Sequence, residues 1–290
     1  MKKIIALVLV VALSALVLVA CTPATNEKDY TLAIAVEFSA GTKMSNTAAA
    51  IVFDAEGKIV AARFDCAEVT PVAILGAITE VPAIVTKAEL GAGYPMTSGT
   101  WAEQTKAFED AIVGKTAEEV ADLDMSLVAG CTMPNSPLTF KALVTKAAAS
   151  TNKVSFKAAE GFKLGFSVNG VINAKGQLNT DFAAVVIAED KIIACGLDSN
   201  SITLTAAEDG TITAGEYKGT KTEQGEGYVM PAGTWAKQGR AFADAVVGLT
   251  AETLATFEPV SDALAAAGCT MKNTTAGYKA TIIKAFGYAK

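Results

Sequence analysis

The hydrophobic positions of the chain follow first a strand-like and then a helical period, and this succession occurs twice. Apolar runs of strand length come first, at 30–38 and 47–65 in one half and at 162–172 and 180–198 in the other. The longer stretch of each half is interrupted by a short polar string, Ala-Glu-Gly-Lys or Ala-Glu-Asp, which predicts a β-hairpin. Each half is therefore predicted to begin with antiparallel strands.

Helical periodicity follows the strands in both halves. After Thr100, the residues Trp101, Phe108 and Ile112 fall on one face of a helix that Gly114 ends, and the second half repeats the pattern. This placement favours a tryptophan in the core over one that stacks on a ligand. Each half then has a short helix and a final helix, the latter predicted at 138–148 and 276–286.

The two halves are copies of one sequence. Residues 99–118 and 233–252 are identical at 14 of 20 positions, and each copy then reaches Ala-Gly-Cys-Thr-Met. The sequence thus predicts an α+β fold of two tandem homologous domains, each an antiparallel sheet packed by helices. We place repeat domain 1 at 31–150 and repeat domain 2 at 160–290, each long enough for a core of its own.

The N-terminus indicates where the protein is located. Two lysines precede an apolar stretch, and Leu18-Val19-Ala20 leads directly to Cys21. This resembles the lipobox of bacterial lipoproteins, which implies a signal peptide at 1–20, lipid attachment to Cys21 and a polar tether at 21–30. The alternative is an uncleaved membrane-spanning helix, for which the stretch is at the lower limit of length. We expect a lipid-anchored protein on the extracytoplasmic face of the cell membrane.

Charge and composition exclude several functions. Without Lys2 and Lys3 the chain has 22 basic and 30 acidic residues, a balance that argues against a nucleic-acid partner. The chain has no histidine, so it lacks the commonest general base and metal ligand. We therefore expect no metal centre, and an electron-transfer or binding module rather than an enzyme.

Two glycine-containing strings are repeated in both copies and form the candidate cofactor-binding residues. They are Gly91, Gly93, Gly130 and Thr132 in the first copy and Gly225, Gly227, Gly268 and Thr270 in the second. Glycine lets a flat ligand approach the backbone, and a threonine before a helix can bind an anion. The alternative is a tight turn with a helix cap, which uses the same residue types. We predict that the glycine loop and the Gly-Cys-Thr turn of a copy face one another.

The order of these elements resembles the FMN-binding domain family. That family includes a subunit of sodium-pumping quinone reductase and surface lipoproteins of extracellular electron transfer. Its string Asp-x-x-Ser/Thr-Gly-Ala-Thr carries FMN through a phosphate on the last threonine, which implies attachment at Thr132 and Thr270. The Glu-x-Gly-x-Gly strings resemble the family loop that approaches the flavin.

This chain departs from the family string at several positions. Cysteine replaces alanine at 131 and 269, and Ser126 or Leu264 stands at the aspartate position. The strings also look like those of uncharacterised lipoproteins and exported proteins of anaerobic Gram-positive bacteria. The resemblance implies FMN as cofactor and a role in extracellular electron transfer or flavin carriage. The alternative is a non-enzymatic lipoprotein that binds a small ligand at the surface or has a structural role in the envelope.

Four cysteines remain besides Cys21, namely Cys66, Cys131, Cys195 and Cys269. Each copy has one cysteine on a predicted strand and one in the Gly-Cys-Thr string. An even number in an exported chain suggests disulfides, which would join Cys66 to Cys131 and Cys195 to Cys269. Four buried free thiols are the alternative.

Overall fold

The computed structural model describes residues 26–133, 136–272 and 274–290. The predicted signal peptide, the predicted lipid site at Cys21 and the first part of the tether lie outside these ranges. Among the helices that the structure describes, none is long and apolar enough to cross a membrane.

The first copy consists of strands followed by helices. Its strands are β1 (Lys28–Ala40), β2 (Met44–Asp54), β3 (Ile59–Val69), β4 (Ala73–Ile74), β5 (Ala77–Ile78), β6 (Val81–Ile84), β7 (Pro95–Met96) and β8 (Gly99–Thr100). Its helices are α1 (Lys87–Leu90), α2 (Trp101–Ile112), α3 (Ala117–Ala121) and α4 (Ser136–Ala149). Short 3₁₀ turns lie at Gly91–Gly93 and Met125–Leu127.

The second copy repeats this order. Its strands are β9 (Val154–Ala158), β10 (Lys163–Ile172), β11 (Gln177–Ala188), β12 (Lys191–Ala206), β13 (Ile212–Ala214), β14 (Val229–Met230) and β15 (Gly233–Thr234). Its helices are α5 (Lys221–Gln224), α6 (Trp235–Ala245), α7 (Ala251–Thr256), α8 (Asp262–Ala266) and α9 (Thr275–Gly287), with a 3₁₀ turn at Gly225–Gly227.

Two antiparallel sheets carry the fold, which confirms the predicted α+β class. Their strand orders are β3-β2-β1-β9 and β13-β12-β11-β10-β6. Each sheet takes its edge strand from the other copy: β9 pairs with β1, where Lys28 lies opposite Ala158, and β6 pairs with β10, where Ile84 lies opposite Gly170. The predicted boundaries at 150 and 160 therefore need correction, because the stretch between them holds a strand of the first sheet.

The central strands are covered on both faces. In β2, Ala50 and Val52 belong to the apolar cluster between the sheets, whereas Ile51 and Phe53 pack against the helices of the first copy. The residues of β11 alternate in the same way. This burial explains why the strand sequence is a continuous apolar run rather than an alternating one. The molecule has four layers: helices, sheet, sheet and helices.

The cluster between the sheets belongs to both copies. It contains Leu32 and Val36 of β1 together with Phe182 and Val186 of β11, all fully buried. Burying side chains of this size contributes about 1.5–3 kcal/mol each. Each copy has its own helical cluster, but the central cluster draws on both copies, so a complete core within each copy stays a prediction.

The helices begin where the local sequence predicts. Thr100 caps α2 and forms a capping box with Glu103, and Thr234 caps α6 without a glutamate partner. Trp101 and Trp235 are buried, which confirms their core placement. The structure differs from the prediction at the glycine loops, because each loop begins with a short helical turn, α1 or α5. The cause is a further capping box in each copy, made in the first by Thr86 and Glu89.

Candidate ligand site

The Gly-Cys-Thr turns are bound to the helix that precedes them. The backbone N–H and the Oγ1 hydroxyl of Thr132 both donate to Oε1 of Gln104, at 2.7 and 3.0 Å. Thr270 donates to Gln238 in the same way, at 3.0 Å each. Both glutamines are buried, so each turn is held by a side chain inside its own copy. Gly130 has a φ of 83°, which is why a glycine begins the turn.

The glycine loops also end on the first turn of that helix. Gly91 closes α1 with a φ of 48° and a ψ of −116°, a conformation that only glycine adopts readily. The 3₁₀ turn then brings the Tyr94 carbonyl to the N–H of Trp101, at 3.2 Å, and Tyr228 and Trp235 repeat this bond. Loop and turn thus both meet the start of α2 or α6. The predicted ligand site between them stays a prediction.

The turns do not present free donors for a flavin phosphate. Both donors of Thr132 already bind Gln104, and the neighbouring Cys131 side chain is buried in the core. The threonine residues themselves are exposed, so a phosphate at Oγ1 would have to replace the bond to glutamine. FMN at Thr132 and Thr270 therefore stays a prediction.

The four cysteines are free and buried, which decides between the two alternatives for them. The disulfides Cys66–Cys131 and Cys195–Cys269 are absent from the described residues. Cys66 instead accepts a hydrogen bond from the hydroxyl of Thr47 at 3.4 Å. Burial raises the pKa of all four thiols, that of Cys195 to about 12. They are inert core residues rather than reactive ones.

A buried aspartate in each copy holds the start of the glycine loop. Oδ1 of Asp65 accepts from the N–H groups of Cys66 and Ala88, and Oδ1 of Asp198 accepts from those of Ser199 and Thr222. Burial raises the pKa of both carboxyls, that of Asp198 to about 6. Asp65 and Asp198 occupy equivalent positions in the two copies, but the sequence analysis did not select them as site residues.

Two ion pairs tie each glycine loop to the other copy. Lys284 of α9 binds Glu89 at 2.7 Å, and Lys146 of α4 binds Glu223 at 3.0 Å. Each lysine also donates to a carbonyl of its own sheet. The capping glutamates, which the family resemblance would place near a flavin, therefore fix the contact between copies. Sequence reasoning missed both lysines because their partners lie far along the chain.

A cleft of about 610 Å³ lies at this contact, between α1, α2 and β3 of the first copy and the second copy. Phe64 and Trp101 line it from the first copy, and Phe166 and Tyr288 line it from the second. The loop glycines and the Gly-Cys-Thr turns do not line this cleft. Its lining combines four aromatic residues with six charged ones.

The charged side of the cleft is built around Glu109. Its Oε1 accepts from the N–H of Phe64 at 2.9 Å, and its Oε2 lies 3.2 Å from Nη1 of Arg63. Arg63 also donates to the carbonyl oxygens of Ala62 and Lys290, the latter across the contact between copies. Burial raises the pKa of Glu109 to about 7, although the Arg63 charge opposes this shift.

One polar atom of the cleft has no partner in the described part of the chain. Thr105 is 2% exposed, and its Oγ1 is buried without a hydrogen bond. A hydroxyl in this position costs roughly 1–3 kcal/mol unless a bound molecule satisfies it. Thr105 lines the cleft, but its Oγ1 is itself covered by protein atoms.

The second copy has a smaller and divided space at the same place. Arg63, Thr105 and Glu109 correspond to Gly196, Gly239 and Ala243, which line a cavity of about 20 Å³. Such a volume holds a single water molecule. Asp65 and Glu89 correspond to Asp198 and Glu223, which line an adjoining recess of about 340 Å³. The first copy thus has one larger cleft, with a buried carboxylate where the second copy has an alanine.

Comparisons of this chain with protein-family models, with curated proteins and with solved structures give no match.

Proposed function

We propose that this protein is a lipid-anchored, extracytoplasmic binding module that holds a small ligand in the cleft between its two copies. The observation that carries the proposal is the cleft of about 610 Å³ at this contact, in which the ion pair of Arg63 and Glu109 stands where the second copy has Gly196 and Ala243. The two copies share one fold, so a position with different residues in the two copies does not need a particular residue for folding. Arg63 and Glu109 of the cleft are at such positions. The lipid anchor rests on the resemblance of residues 18–21 to a lipobox.

Binding is favoured over catalysis by the chemistry of the cleft. The chain has no histidine, and the carboxylates of the cleft are engaged by neighbours. Glu109 binds Arg63 and the Phe64 amide, and Glu89 binds Lys284 and the hydroxyl of Tyr288. Groups held in this way orient and recognise a ligand, whereas a general base needs a free acceptor directed at its substrate.

Two tryptophans make the proposal testable in the unaltered protein. Trp101 lines the cleft, and Trp235 is its counterpart in the second copy, where its indole N–H donates to Tyr278 at 2.9 Å. We would titrate the mature chain with naphthalene-2-carboxylate, naphthalene-2-carboxamide and 2-naphthylmethylammonium and follow both indole N–H signals by NMR. We expect the Trp101 signal to shift to saturation with at least one probe, with a Kd of about 1 mM or tighter. The Trp235 signal should stay in place.

Matched variants locate the binding. Ala102 lines the cleft, and Ala236 lines the small cavity of the second copy. Ala102→Phe should abolish the shift because the ring fills the cleft, and Ala236→Phe should leave it unchanged. If no probe binds, or if both variants bind equally well, the proposed function is wrong.

A further inference from the structure

The walls of the cleft determine the shape of what it can hold. Phe64, Trp101 and Phe166 are nearly fully buried, and the more exposed Tyr288 stands at the edge of the cleft. Only the Tyr288 ring is substantially exposed to this space of about 610 Å³. An exposed aromatic ring stacks on a flat apolar body and gains little from a flexible polar chain. The cleft therefore offers one aromatic face to a ligand that contains a ring.

The hydrogen bonds of the cleft determine the charge that it prefers. Its acidic groups already have partners: Asp65 accepts from backbone N–H groups, Glu89 binds Lys284, and Glu109 binds Arg63. The Arg63 guanidinium has five N–H donors, and its bonds to Glu109, Ala62 and Lys290 leave donors for a ligand. Unused donors on a cation favour a negatively charged ligand.

The second copy supports a role of the guanidinium in recognition. There Arg240 donates to the Cys195 carbonyl, just as Arg63 donates to the carbonyl of Ala62, so a guanidinium occupies the same place in both copies. In the first copy the buried carboxylate of Glu109 pairs with this guanidinium at 3.2 Å, whereas in the second copy Arg240 pairs with the exposed carboxylate of Asp244. The position of Glu109 is Ala243 in the second copy, so the fold does not require an acid there.

Building on the proposed function, we propose that the cleft binds an aromatic monoanion and that Glu109 takes up a proton from solvent as this ligand binds. The anion competes with Glu109 for Arg63 and places a second negative charge beside it. Protonation of Glu109 removes this repulsion and keeps Arg63 for the ligand. The charged and titratable groups that face Glu109 or line its cleft are Arg63, Asp65, Glu89, Lys106, Asp110, Tyr288 and Lys290.

The direction of the pH dependence follows from the uptake of this proton by Glu109. Below about pH 7 Glu109 already carries the proton, so the affinity for the anion is at its highest and constant. As the pH rises above this value, binding must draw a proton from solvent, and the affinity falls by up to about tenfold for each pH unit. The pKa of Tyr288 is raised to about 12, so this group does not titrate over this range.

The same three naphthalene probes test this inference at pH 6, 7 and 8. The carboxylate should bind about tenfold tighter than the carboxamide at pH 6 and should weaken about fivefold from pH 7 to pH 8. Glu109→Gln should bind the carboxylate equally well at all three pH values. Arg63→Gln should lose the preference for the carboxylate but keep binding of the carboxamide.

The outcomes separate the two proposals. Tighter binding of 2-naphthylmethylammonium, or an unaltered pH dependence in Glu109→Gln, would overturn the inference while leaving a binding cleft in place. Absence of binding by all three probes would overturn the proposed function and the inference with it.

Discussion

Residues 26–159 and 160–290, produced separately, should each lack a cooperative unfolding transition, and produced together they should regain it. The fragment 160–290 lacks β6, the edge strand of its sheet, and 26–159 lacks the β10–β12 face that covers β1 and β2. Each fragment alone would expose one wall of the central cluster. An exposed apolar face of this size favours a molten or aggregated state over a native one.

Urea titration followed by circular dichroism would measure this effect. As a control, a protease site placed between Ala159 and Glu160, in the turn that joins β9 to β10, should allow the intact protein to be cut after folding. The cut protein should elute as one species and unfold in a single transition. A sigmoidal transition for either fragment alone would show that each copy is an independent domain.

Asn46→Ala should destabilise the protein by about 2–4 kcal/mol, because this side chain joins the two sheets at their buried centre. Its amide donates to the hydroxyl of Thr180 at 2.9 Å and its carbonyl oxygen accepts from Asn200 at 2.6 Å. All three residues are fully buried. The substitution leaves two polar groups without a partner and opens a cavity between the copies.

The matched control is Asn179→Ala, which removes an asparagine of β11 in the second sheet. Asn179 accepts from Ser201 at 2.6 Å, but this pair is exposed and water can replace the bond. Its loss should cost less than about 0.5 kcal/mol. Free energies of unfolding from urea titration compare the two variants. Equal stabilities for both would mean that the central hydrogen bonds do not hold the sheets together.

Helix-capping residues and hydrophobic periodicity predicted much of the fold, because both act within one helix or strand. Thr100 and Trp101 are sufficient to place the start and the buried face of α2. The exchange of edge strands was not predictable in this way. Nothing in residues 154–158 shows which sheet edge they will join, since any edge offers the same unpaired N–H and C=O groups. The pairing depends on how the two copies pack.

The candidate site was harder to predict for a related reason. Residues retained in both copies were chosen as site residues, yet Thr132 and its partner Gln104 are retained because they hold the turn to the helix. The cleft is lined both by retained residues, such as Asp65 and Trp101, and by residues that differ between the copies, such as Arg63 and Glu109. In a duplicated chain, the residues that differ between the copies are the ones to test for a role that only one copy has.

Hydrogen exchange with and without naphthalene-2-carboxylate tests most directly where a ligand lies. At about ten times the Kd, exchange should slow up to roughly tenfold along α2 and at Phe64, whose N–H is held by Glu109. Exchange along α6 should not change, because the corresponding space of the second copy is smaller and lacks the Arg63–Glu109 ion pair. Protection at residues 91–93 and 130–132, with α2 unaffected beyond its first turn, would contradict the cleft and favour the glycine loops as the site.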